Sequence, residues 1–205
     1  MDALDREIIS ALYVSSLSKD DPVSILRKKL PVSAEHIVAK IEFLAKNGIV
    51  ESDKKTLTDI GRSSLRVVLA GGVFDIIHPG HLHTLKAAKA LGNVLVVVVA
   101  TDKTAQKMKS RVPLHNMHLR RELVSSLSMV DYAMIGHEDD IFKTVEAVRP
   151  DIIALGYDQV HQEKFITDGC KKINVNVSIA RLQSPIPDIK SSKIESEYGE
   201  SIYRL

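Results

Sequence analysis

Six consecutive apolar residues, Val94-Leu95-Val96-Val97-Val98-Val99, set the first limit on what this chain can become. A strand with one wetted face alternates polar and apolar residues. This run does not alternate, so it reads as a parallel strand buried on both faces. Covering both faces requires helices on each side of a sheet, and the sequence beyond residue 65 supplies them. Strand-like segments at 66–70, 132–135, 151–155 and 175–182 alternate with helical ones at 79–91, 118–127, 141–148 and 164–172. That alternation predicts right-handed crossovers and an α/β fold with a doubly wound parallel sheet. Ligands of such sheets bind beyond the carboxyl ends of the strands, where Gly72, Thr101, Gly136 and Gly156 fall.

The stretch from Arg66 to Leu91 concentrates the chemistry. Its strand runs into Gly71 and Gly72, then Val73-Phe74-Asp75-Ile76-Ile77-His78-Pro79-Gly80-His81, then a helix. The glycines let a ligand approach the backbone without a Cβ in the way. Pro79 suits a first helical turn, where its missing N–H would have no partner anyway. Free N–H groups and the positive dipole end make that helix start an anion site. His78 and His81 point into the same place. Taken singly, a His-x-x-His pair is more often a cap, a surface pair or a metal site, and two glycines are often only a tight turn. Together they describe a phosphate-handling site. It is neither a Walker loop, since no Gly-Lys-Ser/Thr follows, nor a dinucleotide fingerprint, since no G-x-G-x-x-G occurs there.

Gly-Gly-Val-Phe-Asp-Ile-Ile-His-Pro-Gly-His-Leu resembles the signature of the cytidylyltransferase-like nucleotidyltransferases, whose H-x-G-H motif binds a nucleoside triphosphate. Gly156-Tyr157-Asp158-Gln159, with Leu82, Leu91-Gly92, Val130-Asp131 and Glu138-Asp139-Asp140-Ile141-Phe142, is similar to the archaeal FAD synthases, a branch of that family. The resemblance covers residues 66–194. It implies a Rossmann-like nucleotidyltransferase with His78, His81 and Lys109 as catalytic residues. Gly72, Val73, Phe74, Asp75, Gly80, Arg120, Gly156, Asp158, Ser191 and Ser192 would bind the nucleotide, and Tyr157 would stack on the acceptor. Asp75 and Asp158 also suit a structural role as turn or cap residues. Lys109 is the best match, ahead of Lys107, in the basic run Lys103, Lys107, Lys109, Arg111, a pattern that is otherwise solvated surface. The chain has Lys190-Ser191-Ser192 where the family closes with a Thr/Ser-rich motif, and Ser128 where many relatives are basic.

The implied reaction is attack of an acceptor phosphate on the α-phosphorus of the triphosphate, with pyrophosphate leaving opposite. An ionised phosphate needs no general base, so catalysis is positioning plus electrostatics. The histidines would hydrogen-bond the α-phosphate and bridging oxygens, while Lys109 and Ser192 hold the outer phosphates. Mg2+ would arrive with the triphosphate. ATP plus FMN giving FAD and pyrophosphate is the expected reaction. The alternatives are a CTP-dependent cytidylyltransferase acting on a small phosphorylated acceptor such as glycerol 3-phosphate, and a DNA-binding regulator with a nucleotide-sensing domain.

Composition bounds the remaining choices. With 205 residues, 44% hydrophobic and 26% charged, the chain is globular and of one or two domains. A net charge of +2 announces neither a nucleic-acid nor a membrane partner, and no apolar run approaches the ~20 residues of a membrane span. One cysteine, Cys170, and no signal peptide fit a cytoplasmic protein.

Residues 1–64 follow a different pattern and form a separate domain from 65–205. Leu4, Ile8 and Leu12 recur at helical spacing; Asp21-Pro22 opens a second helix; Ser33 caps a third carrying Ile37, Ile41 and Leu44. Residues 49–52 and 56–58 then flank Asp53-Lys54-Lys55 as a hairpin, and residues 61–64 read as a linker. Three helices and a hairpin resemble a small winged helix-turn-helix domain. Ten Lys/Arg against ten Asp/Glu leave it without net charge, and phosphate neutralisation dominates DNA affinity. DNA binding is therefore possible but not favoured; dimerisation, as a homodimer, or regulation is the preferred role.

Overall fold

The computed structural model describes residues 1–156, 159, 162–183 and 191–202, with side chains at 191, 192 and 200–202 excepted. Tyr157 and Asp158, expected at the acceptor and nucleotide sites, lie outside the described residues, as do the side chains of Ser191 and Ser192. The chain divides into two compact units, Met1–Arg66 and Val67–Leu205.

In the first unit, α1 (Ala3–Ser18) starts in a capping box: Asp2 accepts from the Asp5 N–H while Asp5 accepts from the Asp2 N–H. Lys40, on α3, pairs with both carboxylates at 2.8 Å. Asp21 caps α2 (Pro22–Lys29) and Ser33 caps α3 (Ala34–Lys46). α3 closes with Gly48 at φ 71°, whose N–H bonds Ala45 O while the Ile49 N–H bonds Leu44 O, the paired bonds of a glycine helix stop. The expected hairpin is shorter than the sequence suggests, a single antiparallel bridge between Val50 and Leu57. Asp53 shapes its tip by accepting from the Lys55 and Thr56 N–H groups.

The expected linker at residues 61–64 needs correction. Residues Asp59–Ser63 form α4, capped by Thr58, whose hydroxyl accepts from the Gly61 N–H at 3.1 Å. Gly61 is not a flexible joint. A Cβ there would stand 2.1 Å from the Ile49 carbonyl oxygen, so only glycine permits this approach.

The second unit is built on a five-stranded, wholly parallel sheet of order β3-β2-β1-β4-β5. Its elements run β1 (Val67–Gly72), α5 (Pro79–Lys89), β2 (Val94–Val99), α6 (Asp102–Lys109), α7 (Met117–Ser125), β3 (Tyr132–Ile135), α8 (Ile141–Val148), β4 (Ile152–Leu155), α9 (Glu163–Lys172), β5 (Ser178–Arg181) and α10 (Ser191–Ile202). The valine run is β2, paired on one side with β1 and on the other with β3. Alternation sends Val68, Ala70, Leu95 and Val97 into a core with Leu85 and Ala88 of α5 and Val124 of α7. Leu69, Val98, Ile153 and Leu155 turn elsewhere, into a cavity shared with α8 and α9. Both faces of the sheet therefore carry helices.

One element is unanticipated and another is shorter than expected. The basic run after β2 is helical, because Thr101 caps α6 by accepting from the Thr104 N–H at 3.2 Å; Ser110, left-handed at φ 58°, stops it. The last strand is confined to four residues of the eight expected.

Candidate active site

β1 ends at Gly72 and the chain turns sharply back. Phe74 adopts φ 55°, a left-handed conformation that a bulky side chain rarely takes. Gly72 makes this possible, since a Cβ there would meet the Phe74 ring at 2.9 Å. The buried ring then lies 5.3 Å, centroid to centroid, from His81.

His78 is the N-cap of α5, with extended backbone and its Nδ1 accepting from the Gly80 N–H at 3.1 Å. An imidazole that accepts at Nδ1 carries its proton on Nε2 when neutral, so His78 is a donor at that atom. The rings of His78 and His81 stand 4.0 Å apart. Buried His81 Nδ1 has no hydrogen-bond partner among the described residues. A buried polar atom without a partner costs free energy unless a ligand supplies one.

The fold makes both histidines harder to protonate. Burial pushes His81 down to about 4, with His78 and Lys109 adding to the effect; burial and then Lys109 lower His78. Lys109, the last residue of α6, is thus near enough to act on both rings. The unfolded chain protonates at the ordinary histidine value of 6.5, above the folded value for His81. The unfolded state therefore binds more protons between these limits, and this contribution to stability is present above pH 6.5 and lost as pH falls toward 4. In an NMR titration of the ligand-free protein, the His81 ring is expected to change state near pH 4. A midpoint at or above the ordinary value would contradict the burial described.

Other residues expected to touch nucleotide are placed differently. Arg120 is fully buried, and its donors are committed: Nε to His115 O at 2.9 Å, one terminal nitrogen to Val73 O at 2.6 Å, the other to Asp102 Oδ1 at 2.8 Å. It ties the start of the histidine turn to α6 and α7 instead of facing a phosphate. Asp75 is likewise buried; it pairs with Arg111 at 2.7 Å and accepts from the His115 N–H at 3.3 Å. Its structural reading is the one the geometry supports. Arg111 also pairs with Glu195 of α10, so one guanidinium joins the turn to the last helix. Val73 and Gly80 are buried, with the Val73 carbonyl used by Arg120. The Gly156 N–H donates to Gln159 Oε1 at 2.9 Å.

Beside this turn lies a cavity of about 550 Å³ at the carboxyl ends of β1 to β4. That volume suits a small-molecule ligand. Leu69, Val98, Ile153, Leu155, Met108 and Phe165 supply apolar wall; Thr101, Thr104, Gln159 and Gln162 supply polar groups. Gly72 lines the cavity and is also the last residue of β1, from which the histidine turn departs. The cavity, the Arg111 junction and the Phe74 conformation are absent from the sequence reading. Arg111 had a signal in the basic run, whereas a left-handed phenylalanine has none.

Residues 69–197 match the family described as cytidylyltransferase-like. The chain is 50% identical over 125 residues to an FAD synthase of Picrophilus torridus, covering 61% of this chain and 89% of the relative. It is 53% identical over 116 residues to an FAD synthase of Aciduliprofundum boonei, covering 57% and 77%. Among solved structures, a Thermoplasma volcanium protein described as a lipopolysaccharide core biosynthesis protein superposes with a TM-score of 0.56 at 46% identity, covering 58% of this chain and 98% of that one.

Proposed function

The chain belongs to the cytidylyltransferase-like family, and from that premise we propose that it is an FMN adenylyltransferase, joining ATP and FMN to give FAD and pyrophosphate. It is a nucleotidyltransferase, and relatives named FAD synthase support the choice of substrates. The observation that carries the acceptor is the cavity: its walls are largely apolar and it adjoins the histidine turn at Gly72. A fused aromatic ring system is at home there. Glycerol 3-phosphate has no ring to cover Leu69, Val98, Ile153 and Leu155.

In this reading an oxygen of the FMN phosphate attacks the α-phosphorus of ATP, and the bond to the β-bridging oxygen breaks. Negative charge that grows on the α-phosphate and bridging oxygens meets the His78 Nε2–H, a His81 ring N–H and the start of α5. Each ring can meet that charge through an N–H donor. Lys109 supplies the full positive charge, on the outer phosphates, and the start of α10 offers further N–H groups. Arg120 and Asp75 fix the turn that aims the histidines. Mg2+ would be carried in by the triphosphate, shielding its charge. This suits an ion that keeps much of its water and takes few protein ligands.

The test mixes the protein with Mg2+, ATP and FMN and follows products by chromatography, with CTP and glycerol 3-phosphate in parallel. FAD is the expected product. A cytidine-linked product without FAD would move the protein to the alternative reading.

We read the first unit as a winged-helix module for dimerisation or regulation. Lys54, at the hairpin tip, is paired with Glu42 at 2.6 Å, which leaves less charge for a DNA phosphate. Duplex binding by the intact protein, lost on replacing Lys54 and Lys55 by alanine, would reverse this ranking.

A further inference from the structure

Three large apolar side chains at the cavity stand open to water: Met108 of α6 at 54% exposure, Ile141 of α8 at 46% and Phe165 of α9 at 59%. Exposed apolar residues scattered singly need no explanation, but here they share one opening. Phe165 is also seated. Its ring lies 5.3 Å from that of Phe142, tilted by 54°. Phe142 rests in turn on Gly169, one helical turn after Phe165. A Cβ at Gly169 would come within 1.8 Å of the Phe142 ring, so the glycine is the space that ring occupies. Gly169, Phe142 and Phe165 form a supported stack that ends in a ring bordering the cavity.

On the reading of the acceptor as FMN, we propose that Phe165 and Met108 are the contacts that select the flavin ring, with Phe142 and Gly169 as positioning residues. A planar aromatic ligand is the occupant that covers an aromatic ring and a thioether together; both favour contact with π-systems. The placement also suits the reaction. Met108 immediately precedes Lys109, and the cavity wall includes Gly72, the residue before the histidine turn. A ring held at Phe165 and Met108 would therefore lie in the cavity whose wall leads to that turn, where its ribityl phosphate is needed.

The test uses the full-length protein and two readouts. Phe165→Ala and Met108→Ala are each expected to raise KM for FMN by about tenfold, the size of one stacking contact, leaving kcat and KM for ATP within about twofold. Phe165→Tyr should restore the wild-type KM. Quenching of lumiflavin fluorescence, which reports the ring without ribityl or phosphate, should be seen with the wild type and weakened in both alanine variants. Because Phe165 and Met108 are exposed, neither variant threatens folding. Lumiflavin quenching that is absent, or equal in wild type and both variants, overturns the proposal whether or not FAD is formed. Absence of FAD with quenching that depends on Phe165 would instead fault the assigned reaction and keep the ring site.

Discussion

His81→Ala is expected to lower turnover by ~100-fold or more, the loss typical of removing a preorganised donor from a developing charge. The structure gives the reason: a half-buried ring with a buried, unpartnered nitrogen at the start of α5. Its removal breaks no hydrogen bond of that side chain to the described residues, so the circular dichroism spectrum and melting temperature should hold or rise. His78→Ala should lose turnover on the same scale and also melt lower, since it removes the cap of α5, worth about 1 kcal/mol. Single-turnover kinetics with ATP and FMN would measure both. Turnover unchanged in both variants would remove the histidines from the reaction.

Arg120→Met should act in the reverse order, on stability first. A fully buried guanidinium holding three partners is replaced by a thioether that can hold none. Leaving the buried Val73 carbonyl without a donor costs roughly 1–3 kcal/mol, the His115 carbonyl adds to it, and half-exposed Asp102 turns to water. Denaturant titration should thus show a loss of about 3 kcal/mol. Activity should fall as well, since the Val73 carbonyl that anchors the Phe74 turn is released. A variant as stable as wild type with KM for ATP alone increased would restore Arg120 to the phosphates.

What the sequence could and could not disclose follows from the range of the forces involved. The valine run declared a strand buried on both faces because burial on two sides leaves no polar residue in the pattern. Pro79, with the histidines around it, declared a helix start because capping chemistry is local. Arg120 and Asp75 stayed ambiguous because a side chain that faces a nucleotide and one that ties loops together look identical in a string of letters. Their partners, Val73 and Arg111, lie dozens of residues away, and only the folded chain brings them together. Gly61 was misread for a related reason: glycine marks flexibility and tight packing with the same letter, and the Ile49 carbonyl decided between them. The cavity had no signature because it is assembled from four strand ends and three helices.

That assembly separates two jobs along the chain. The histidine turn comes from one continuous segment, residues 73–81, whereas most of the cavity wall comes from the loops and helices after β2, β3 and β4. Substitutions at Met108, Ile141 or Phe165 can reshape what is accepted without disturbing the atoms that make and break the phosphorus–oxygen bonds. A lineage that starts from such a scaffold can drift toward new acceptors by small steps, each leaving the chemistry in working order, and a laboratory seeking a retargeted enzyme would vary the same few positions.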